Sequence, residues 1–177
     1  MQLFLLPLYT RQEDPVEPAC VEAAAEALRR IYTVKVIVGP PERYDGRTDT
    51  EAMLEYVGQR PELTMAVIGM RLQASSNGRS WPMGRELSGI GDLPNDSRER
   101  PRGSVITTRE LVGRPERDIE RWLGIVAIHE FGHNLGAWDC NDRTCFMHYA
   151  IEVAHGPVPR RFCPFHDDLL SRALRRG

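Results

Sequence analysis

The residues with the clearest chemistry in this sequence are two histidines and a glutamate in the run His129-Glu130-Phe131-Gly132-His133. On an α-helix, side chains four residues apart share one face, so both imidazoles can reach a single metal ion. Glu130 projects from the adjacent face, where it can hold a water molecule at the metal and remove its proton. This spacing predicts a zinc-dependent hydrolytic site. The alternative is a chance pairing of buried or surface histidines.

A third ligand for the same ion is expected just after this helix. Gly136 follows His133 by three residues, and glycine readily adopts the left-handed conformation that ends a helix. A sharp turn at Gly136 would bring the carboxylate of Asp139 back toward the ion, which a continued helix could not do. We call His129, His133 and Asp139 the histidine site; its fourth position is left for water.

Cysteine, a scarce residue type in this chain, forms a second pattern immediately downstream. The spacings C-x4-C and C-x2-H suit a tetrahedral structural zinc ion with three thiolates and one imidazole. We call these residues the cysteine site: Cys140, Cys145, Cys163 and His166. The alternatives are a disulfide between two of the thiols, and a helix-capping role for His166 with water or Asp167 completing the site. Asp139 and Cys140 are adjacent, so an ion in the cysteine site should fix the backbone that presents Asp139.

These motifs resemble those of the metzincin zinc peptidases, whose pattern is H-E-x-x-H-x-x-G-x-x-H followed by a Met-turn. Residues 129–147 and 163–166 resemble, more narrowly, the archaemetzincin family, in which the zinc motif runs directly into C-x4-C-x-M and later C-x-x-C. The resemblance implies a zinc metallopeptidase with two zinc ions per chain, one catalytic and one structural. This sequence departs from the family pattern at two positions. Asp139 stands where the family usually has the third histidine ligand, and His166 stands where it has the last cysteine. An aspartate ligand adds negative charge, which should leave the zinc a weaker Lewis acid.

The resemblance also implies roles for two residues that follow the histidine site. Met147 would be the Met-turn residue, an apolar floor under the zinc ligands, and the alternative is a core methionine without a special role. The run Met147-His148-Tyr149 is similar to the Met-turn of astacin-like enzymes, which implies that Tyr149 approaches the zinc and stabilises the oxyanion.

Two alternatives to Asp139 as the third zinc ligand stay open. In the first alternative, Asp139 caps a turn and does not bind the metal ion. In a gluzincin-like arrangement a downstream helix supplies the ligand instead, from Glu152 or His155, although Pro157 and Pro159 disfavour a long helix there.

The elements that must position these side chains begin with an alternation of strands and helices. Short apolar or β-branched segments predict the strands, and longer amphipathic segments predict the helices. Turn residues separate these segments. Strand, helix and strand at this spacing predict a parallel pair with a right-handed crossover. The expected elements are a strand at Gln2 to Tyr9, a helix at Ala19 to Tyr32 that carries Cys20 on its apolar face, a strand at Thr33 to Val38, a helix at Thr50 to Gln59 capped by Asp49 or Thr50, and a strand at Leu63 to Met70.

The second half of the chain begins with a long polar segment. Residues 74–103 are rich in Ser, Gly, Asn, Pro and Arg, which predicts a loop with at most a short strand around Glu86 to Ile90. Ser104 to Thr108 predicts a further strand. Pro115 suits the first turn of the helix that holds both histidines, and this helix should run to about Leu135. A short helix from Pro164 to Arg175 is expected last.

These elements predict an α/β fold: a metzincin-like twisted mixed sheet with packed helices and a small zinc-stabilised C-terminal subdomain. At 177 residues the chain fits a single catalytic domain. We expect an upper subdomain from residue 1 to 136, ending with the active-site helix, and a lower one from 137 to 177. The boundary is placed near Gly136.

The composition narrows the classes of partner. A formal charge of −2 and a pI near 6.2 argue against a dedicated nucleic-acid or anionic-membrane binder. No run approaches the roughly 18 to 20 apolar residues of a membrane span, and Leu3 to Leu8 is too short for a signal-peptide core. We therefore expect a cytoplasmic protein. The resemblance implies a peptide or protein substrate, and we expect the protein to be a monomer. The arginine-dense Arg98 to Arg102 is expected to be a solvated loop, and carboxylate or phosphate binding is the alternative.

Three functions compete on these residues. The first is a zinc peptidase in which Glu130 is the general base and substrates lie extended along a sheet edge, for instance near Glu86 to Ile90. The second is a zinc-stabilised peptide-binding protein with weak or no hydrolysis, which the aspartate ligand motivates. The third, nucleic-acid binding through the cysteine site and the arginines, is disfavoured by the charge balance.

Overall fold

The computed structural model describes residues 1–10, 16–73, 86–87, 89–91, 103–111, 115–149, 151 and 158–176. Within these residues the chain forms eight strands, four α-helices and one short 3-10 helix at Arg109–Leu111. The strands are β1 (Gln2–Tyr9), β2 (Lys35–Val38), β3 (Glu42–Arg43), β4 (Thr64–Ile68), β5 (Leu72–Gln73), β6 (Glu86–Leu87), β7 (Gly89–Gly91) and β8 (Gly103–Thr107). The helices are α1 (Pro18–Tyr32), α2 (Thr50–Gly58), α3 (Glu116–Asn134) and α4 (Pro164–Arg176).

The main sheet is mixed, with the strand order β2-β1-β4-β8-β7 and with β3 also paired to β1. β1 is parallel to β2, β3 and β4, and β4 is parallel to β8. β7 is antiparallel to β8 and lies last in the order. β5 and β6 form a separate two-stranded antiparallel sheet. The predicted parallel pair of the first two strands is therefore confirmed.

Helices cover both faces of the main sheet, which explains why its central strands are continuous apolar runs. Alternate side chains of β1 enter two separate cores: Leu3 and Leu5 pack with α1 and α3, while Leu6 and Leu8 pack on the side of α2. α3 is buried at every residue from Trp122 to Leu135. The polar residues His129, Glu130, His133 and Asn134 are therefore buried together with the apolar ones.

α3 is fixed from two sides. A Cβ atom on Gly124 would lie 2.9 Å from the Cβ atom of Ala27, so α1 and α3 approach more closely than a side chain at Gly124 would allow. At the C-terminal end of α3, the Asn134 side-chain amide donates a 2.8 Å hydrogen bond to the carbonyl of Gly103, the first residue of β8. The helix is thereby held against both α1 and the sheet.

The observed elements match the predicted ones closely, with a few differences. Pro115 is not in the first turn of α3 but is its N-cap residue, because its extended ψ of 140° precedes the helical backbone. Asp49, one of two predicted caps, is the N-cap of α2 and accepts a 3.0 Å hydrogen bond from the amide of Ala52. The strand expected around Glu86 to Ile90 is present as β6 and β7, whereas β3 and β5 were not predicted. Arg98 to Arg102, Glu152 and His155 lie outside the described residues.

Within the described part of the chain, no helix has the length and apolarity that crossing a membrane would need. The division into two subdomains near Gly136 stays a prediction.

Candidate metal centres

The two histidines of α3 face each other at its buried C-terminal end. Their Nε2 atoms are 3.1 Å apart, and both side chains are almost fully buried. Each Nδ1 atom lies within hydrogen-bonding distance of a backbone carbonyl: His129 is 2.9 Å from the oxygen of Phe146, and His133 is 2.8 Å from that of Ala137. A carbonyl can only accept, so these contacts place the ring proton on Nδ1 and leave the Nε2 lone pairs facing each other.

The turn that follows α3 has the geometry predicted for Gly136. Its φ of 96° lies in the left-handed region. Its amide donates to the carbonyl of His133 at 2.9 Å, and the next amide, of Ala137, donates to that of Gly132 at 3.0 Å. This pair of hydrogen bonds ends the helix and reverses the chain. The same turn presents the Ala137 carbonyl to His133.

Asp139 is brought back to the two histidines by this turn. Its Oδ1 atom is 3.6 Å from Nε2 of His129 and 3.6 Å from Nε2 of His133. In a tetrahedral zinc site with bonds of about 2.0 to 2.1 Å, neighbouring ligand atoms are about 3.4 Å apart. The three observed separations, 3.1, 3.6 and 3.6 Å, fit that geometry closely. The histidine site can therefore hold a zinc ion with a position left for a further ligand.

Glu130 is completely buried beside this triad. One of its carboxylate oxygens lies within 4.8 Å of a ring nitrogen of each histidine. β7 packs against it: a Cβ atom on Gly89 would lie 2.8 Å from Cγ and Oε1 of Glu130. A Cβ atom on Gly91 would lie 2.3 Å from the Glu130 carbonyl oxygen and 2.9 Å from Cβ of His133. Neither glycine was identified from the sequence. The G-x-G spacing within a polar segment could have indicated that the backbone here approaches another element closely.

Met147 lies directly beneath the helical turn between the two histidines. It is fully buried, and a Cβ atom on Gly132 would come within 2.4 Å of its sulfur and 3.1 Å of the Tyr32 hydroxyl. Tyr32 in turn donates a 2.6 Å hydrogen bond to the carbonyl of Ile128. Gly132 and Tyr32 were not identified from the sequence, because their roles depend on the approach of distant segments to α3.

Tyr149 lies on the surface near the junction of the two sites. Its side chain is 49% exposed, and its ring stacks on that of His148 with centroids 4.5 Å apart. Its amide donates a 3.2 Å hydrogen bond to the carbonyl of Cys140. This hydrogen bond pairs Tyr149 with the residue that follows Asp139, and the approach of its hydroxyl to the zinc stays a prediction.

The four residues of the cysteine site also meet, in a group whose ligand atoms all lie within 4.8 Å of one another. The sulfurs of Cys140 and Cys163 are 3.9 Å apart. Nδ1 of His166 is 3.0 Å from the sulfur of Cys163 and 3.7 Å from that of Cys145. Zinc–sulfur bonds of about 2.3 Å would place tetrahedral sulfur ligands about 3.8 Å apart. All the cysteines are free thiols, so the disulfide alternative does not describe this structure.

Backbone amides point at the sulfurs of this site. The amides of Cys163 and Met147 donate to the sulfur of Cys145 at 3.3 and 3.4 Å, and that of Asp142 donates to Cys140 at 3.4 Å. Burial raises the pKa of the Cys145 thiol to about 12, and the two amide hydrogen bonds act in the opposite direction. Burial also raises the pKa of Cys140 and lowers that of His166. The amides would favour the thiolates that a zinc ion requires.

The Nε2 atom of His166 points away from the sulfurs and lies 2.9 Å from the carbonyl oxygen of Trp138. The imidazole therefore donates to the residue that precedes Asp139 while its other nitrogen faces the thiols. His166 is the third residue of α4, in its first turn, so the helix-capping alternative for this residue stays open beside the role of metal ligand.

Comparison with known proteins gave matches among solved structures. No protein-family model matches this sequence, and no curated protein matches it either. The fold is similar to that of archaemetzincin from Archaeoglobus fulgidus, crystallised with malonate, with a TM-score of 0.71, 21% identity, and coverage of 96% of this chain and 99% of that chain. Archaemetzincin from Methanopyrus kandleri gives a TM-score of 0.70 and 22% identity over 99% of this chain and 96% of that one.

A third similar structure is a zinc-dependent peptidase from Methanocorpusculum labreanum, with a TM-score of 0.72, 12% identity, and coverage of 95% of this chain and 99% of that chain. At these identities the similarity establishes the fold. The chain has the archaemetzincin fold along nearly its whole length, so the fold class predicted from the sequence is confirmed.

Proposed function

We propose that this protein is a zinc metallopeptidase of the archaemetzincin type, with a catalytic ion in the histidine site and a structural ion in the cysteine site. One observation carries the proposal: Nε2 of His129, Nε2 of His133 and Oδ1 of Asp139 form a triangle of the size of a tetrahedral zinc face. The similar zinc-dependent peptidase of Methanocorpusculum labreanum has the same fold, which supports the choice of zinc.

The chemistry follows from the donor set and from Glu130. A zinc ion, when bound, supplies a Lewis acid that polarises a carbonyl oxygen and lowers the pKa of a water molecule. The carbonyls of Phe146 and Ala137 accept from Nδ1 of His129 and His133 and so leave both Nε2 atoms directed at the ion position. The buried carboxylate of Glu130 would take a proton from the attacking water and pass it to the leaving amine nitrogen. Tyr149 would donate a hydrogen bond to the oxyanion.

The substrate class is proposed to be peptides that bind in extended form alongside β7. Among the strands of the described residues, β7 lies last in the order of the main sheet, and Gly89 and Gly91 bring its backbone against Glu130 and His133. A peptide that pairs with β7 would have its backbone carbonyls close to the histidine site. The absence of side chains at both glycines keeps the strand close enough for this.

The second candidate is a zinc-bound peptide-binding protein with little hydrolytic power. The carboxylate of Asp139 motivates it, because a negatively charged third ligand reduces the Lewis acidity of the ion and the acidity of its water. The two candidates predict the same metal content and the same fold. They differ only in turnover.

Cleavage by the zinc-loaded wild type separates the two candidates, and Glu130→Gln tests whether that cleavage needs the proposed general base. We would load the protein with zinc, measure bound zinc by native mass spectrometry, and follow cleavage of a peptide library. The wild type should hold two zinc ions and cleave. Glu130→Gln should keep both ions and lose hydrolysis by roughly a thousandfold or more. Glu130→Ala should behave in the same way, although it leaves a cavity.

The controls address contaminating peptidases and altered folding. The metal-free wild type should be inactive and should recover on addition of one equivalent of zinc beyond that bound by the cysteine site. Two zinc ions with no cleavage of any library peptide would favour the binding protein. Equal cleavage by wild type and Glu130→Gln would exclude the proposed mechanism.

A further inference from the structure

We propose that His166 is a positioning residue for the histidine site, as well as a ligand of the cysteine site. Its Nδ1 atom faces the thiols, and its Nε2–H holds the carbonyl of Trp138 at 2.9 Å, which fixes the backbone that presents Asp139. The inference rests on the proposed function, because it assumes that both sites bind zinc. It adds a direct connection between the two ions through a single imidazole.

The position of His166 is well defined. The side chain is almost fully buried, and Nδ1 lies 3.0 Å from the sulfur of Cys163 and 3.7 Å from that of Cys145. A zinc ion bound by these sulfurs would take the lone pair of Nδ1, which requires the ring proton on Nε2. That proton is the one that the Trp138 carbonyl accepts. Metal binding and the hydrogen bond therefore select the same tautomer.

Packing contributes little to the position of the Trp138–Asp139 segment. The ring of Trp138 is 66% exposed, and the side chain of Asp139 is 49% exposed. The segment is instead held by polar contacts on both sides of Asp139. On one side is the bond from His166 to Trp138. On the other is Cys140, whose amide donates to Met147 at 2.6 Å and whose sulfur belongs to the cysteine site.

A thiolate at position 166 could bind the ion in place of the imidazole, but it could not form the hydrogen bond to the Trp138 carbonyl. Cysteine offers one sulfur, which can bind the ion, and has no second polar atom to hold the Trp138 carbonyl. The substitution His166→Cys should therefore keep a zinc ion in the cysteine site, now with four thiolates, and remove only the connection to Asp139. This separation of ligand and positioning roles makes the inference testable.

The expected result of His166→Cys is weaker zinc binding at the histidine site, by about 10- to 100-fold, as is usual when a group that orients a ligand is lost. Electrostatics predicts the opposite sign, because a fourth thiolate adds a negative charge that attracts the ion in the neighbouring site. Lower zinc affinity of the histidine site in this variant would therefore result from the lost positioning of Asp139 and not from the added charge. Bound zinc would be counted by native mass spectrometry, and affinity measured by chelator competition.

Cobalt substitution provides a spectroscopic readout that does not depend on activity. With zinc in the cysteine site and Co²⁺ in the histidine site, the visible bands of His166→Cys should differ from those of the wild type, because the Asp139 ligand is displaced. Asp139→Asn serves as the reference for a lost carboxylate. Asp168→Asn, on the exposed face of α4, serves as the matched control and should leave the spectrum and the affinity unchanged.

Two further measurements cover the case in which His166→Cys fails to fold. In the zinc-loaded wild type with ¹⁵N-labelled histidine, His166 should show metal-bound Nδ1 and a slowly exchanging Nε2–H. Cys163→Ala, which weakens the cysteine site but retains His166, should reduce zinc occupancy of the histidine site as well.

Several outcomes would overturn the inference. These are an unchanged histidine-site affinity in His166→Cys, a full two zinc ions in Cys163→Ala, coordination of zinc through Nε2 of His166, or no zinc in the cysteine site of the wild type. The two hypotheses can fail separately. If the wild type has no peptidase activity but His166→Cys still lowers the zinc affinity of the histidine site, the proposed function is refuted and this inference stands.

Discussion

Gly89 of β7 and Glu130 of α3 are in direct contact, with no room between them for a methyl group. A Cβ atom on Gly89 would lie 2.8 Å from both Cγ and Oε1 of Glu130, and 2.8 Å from a methyl group of Val126. The carboxylate of Glu130 therefore has its position set partly by the backbone of the strand that we propose as the substrate-binding edge. A shift of this strand would move the proposed general base.

The first prediction concerns this contact. Gly89→Ala should lower hydrolysis by roughly 10- to 100-fold, because displacing a reacting group by up to about 1 Å can cost about a hundredfold in rate. Zinc content should stay the same, since none of the proposed ligands is changed. The matched control is Gly39→Ala, where a new Cβ atom would meet only ordinary contacts, 3.5 Å from the carbonyl oxygen of Leu5. Steady-state kinetics of both variants check the prediction, and equal activity would contradict it.

The second prediction concerns the turn after α3. Gly136 has a φ of 96°, where an L-residue is strained, so Gly136→Ala should lower the free energy of unfolding of the metal-free protein by about 1 to 2 kcal/mol. Zinc affinity of the histidine site should fall as well, because this turn places both Asp139 and the carbonyl that orients His133. Urea denaturation and chelator competition measure the two effects.

The control for this turn is Gly136→Asn, since asparagine tolerates the left-handed region better than alanine does. It should lie between the wild type and Gly136→Ala in both measurements. Equal stability of all three proteins would show that the turn is not constrained.

The third prediction concerns the pH dependence of zinc binding at the cysteine site. Burial raises the pKa of Cys140, and that of Cys145 to about 12, so both thiols are protonated in the metal-free protein near neutral pH. Zinc binds thiolates, so binding should release about one proton from each of these thiols, and the affinity should fall as the pH decreases. Burial lowers the pKa of His166, which is therefore already neutral and releases no proton.

Zinc titration in a weakly buffered solution with a pH indicator would count the released protons. Cys20→Ala should release the same number, because this cysteine lies on α1 outside the cysteine site. Binding without proton release would contradict the assignment of the thiols as ligands.

The fourth prediction concerns Tyr149. Tyr149→Phe removes the hydroxyl but keeps the ring that stacks on His148 and the amide that bonds to Cys140. If the hydroxyl stabilises the oxyanion, kcat should fall by about tenfold or more while KM changes little. Unchanged kcat in a correctly folded, zinc-loaded variant would remove Tyr149 from the catalytic residues.

The metal sites could be foreseen from the sequence because their spacing is local. His129 and His133 share one face of any helix, and a glycine three residues later lets Asp139 return, which the structure reproduces. The residues that were missed act over long distances. Gly89 and Gly91 contact Glu130 and His133 of α3 from the strand β7, and Tyr32 contacts Gly132 from α1.

Sequence alone determined the order of the four helices and the longer strands, the α/β class and the candidate metal-binding residues. These follow from hydrophobic periodicity and from spacings within one helix or turn, which depend on only a few neighbouring residues. The tautomers of His129 and His166 were decided by the tertiary structure, because the carbonyls of Phe146 and Trp138 belong to segments distant from these rings in the sequence. The tautomer of His133 follows from the local turn at Gly136, which presents the carbonyl of Ala137. The tertiary structure also decided that His166 connects the two sites, because a hydrogen bond between residues 28 positions apart leaves no pattern in the chain.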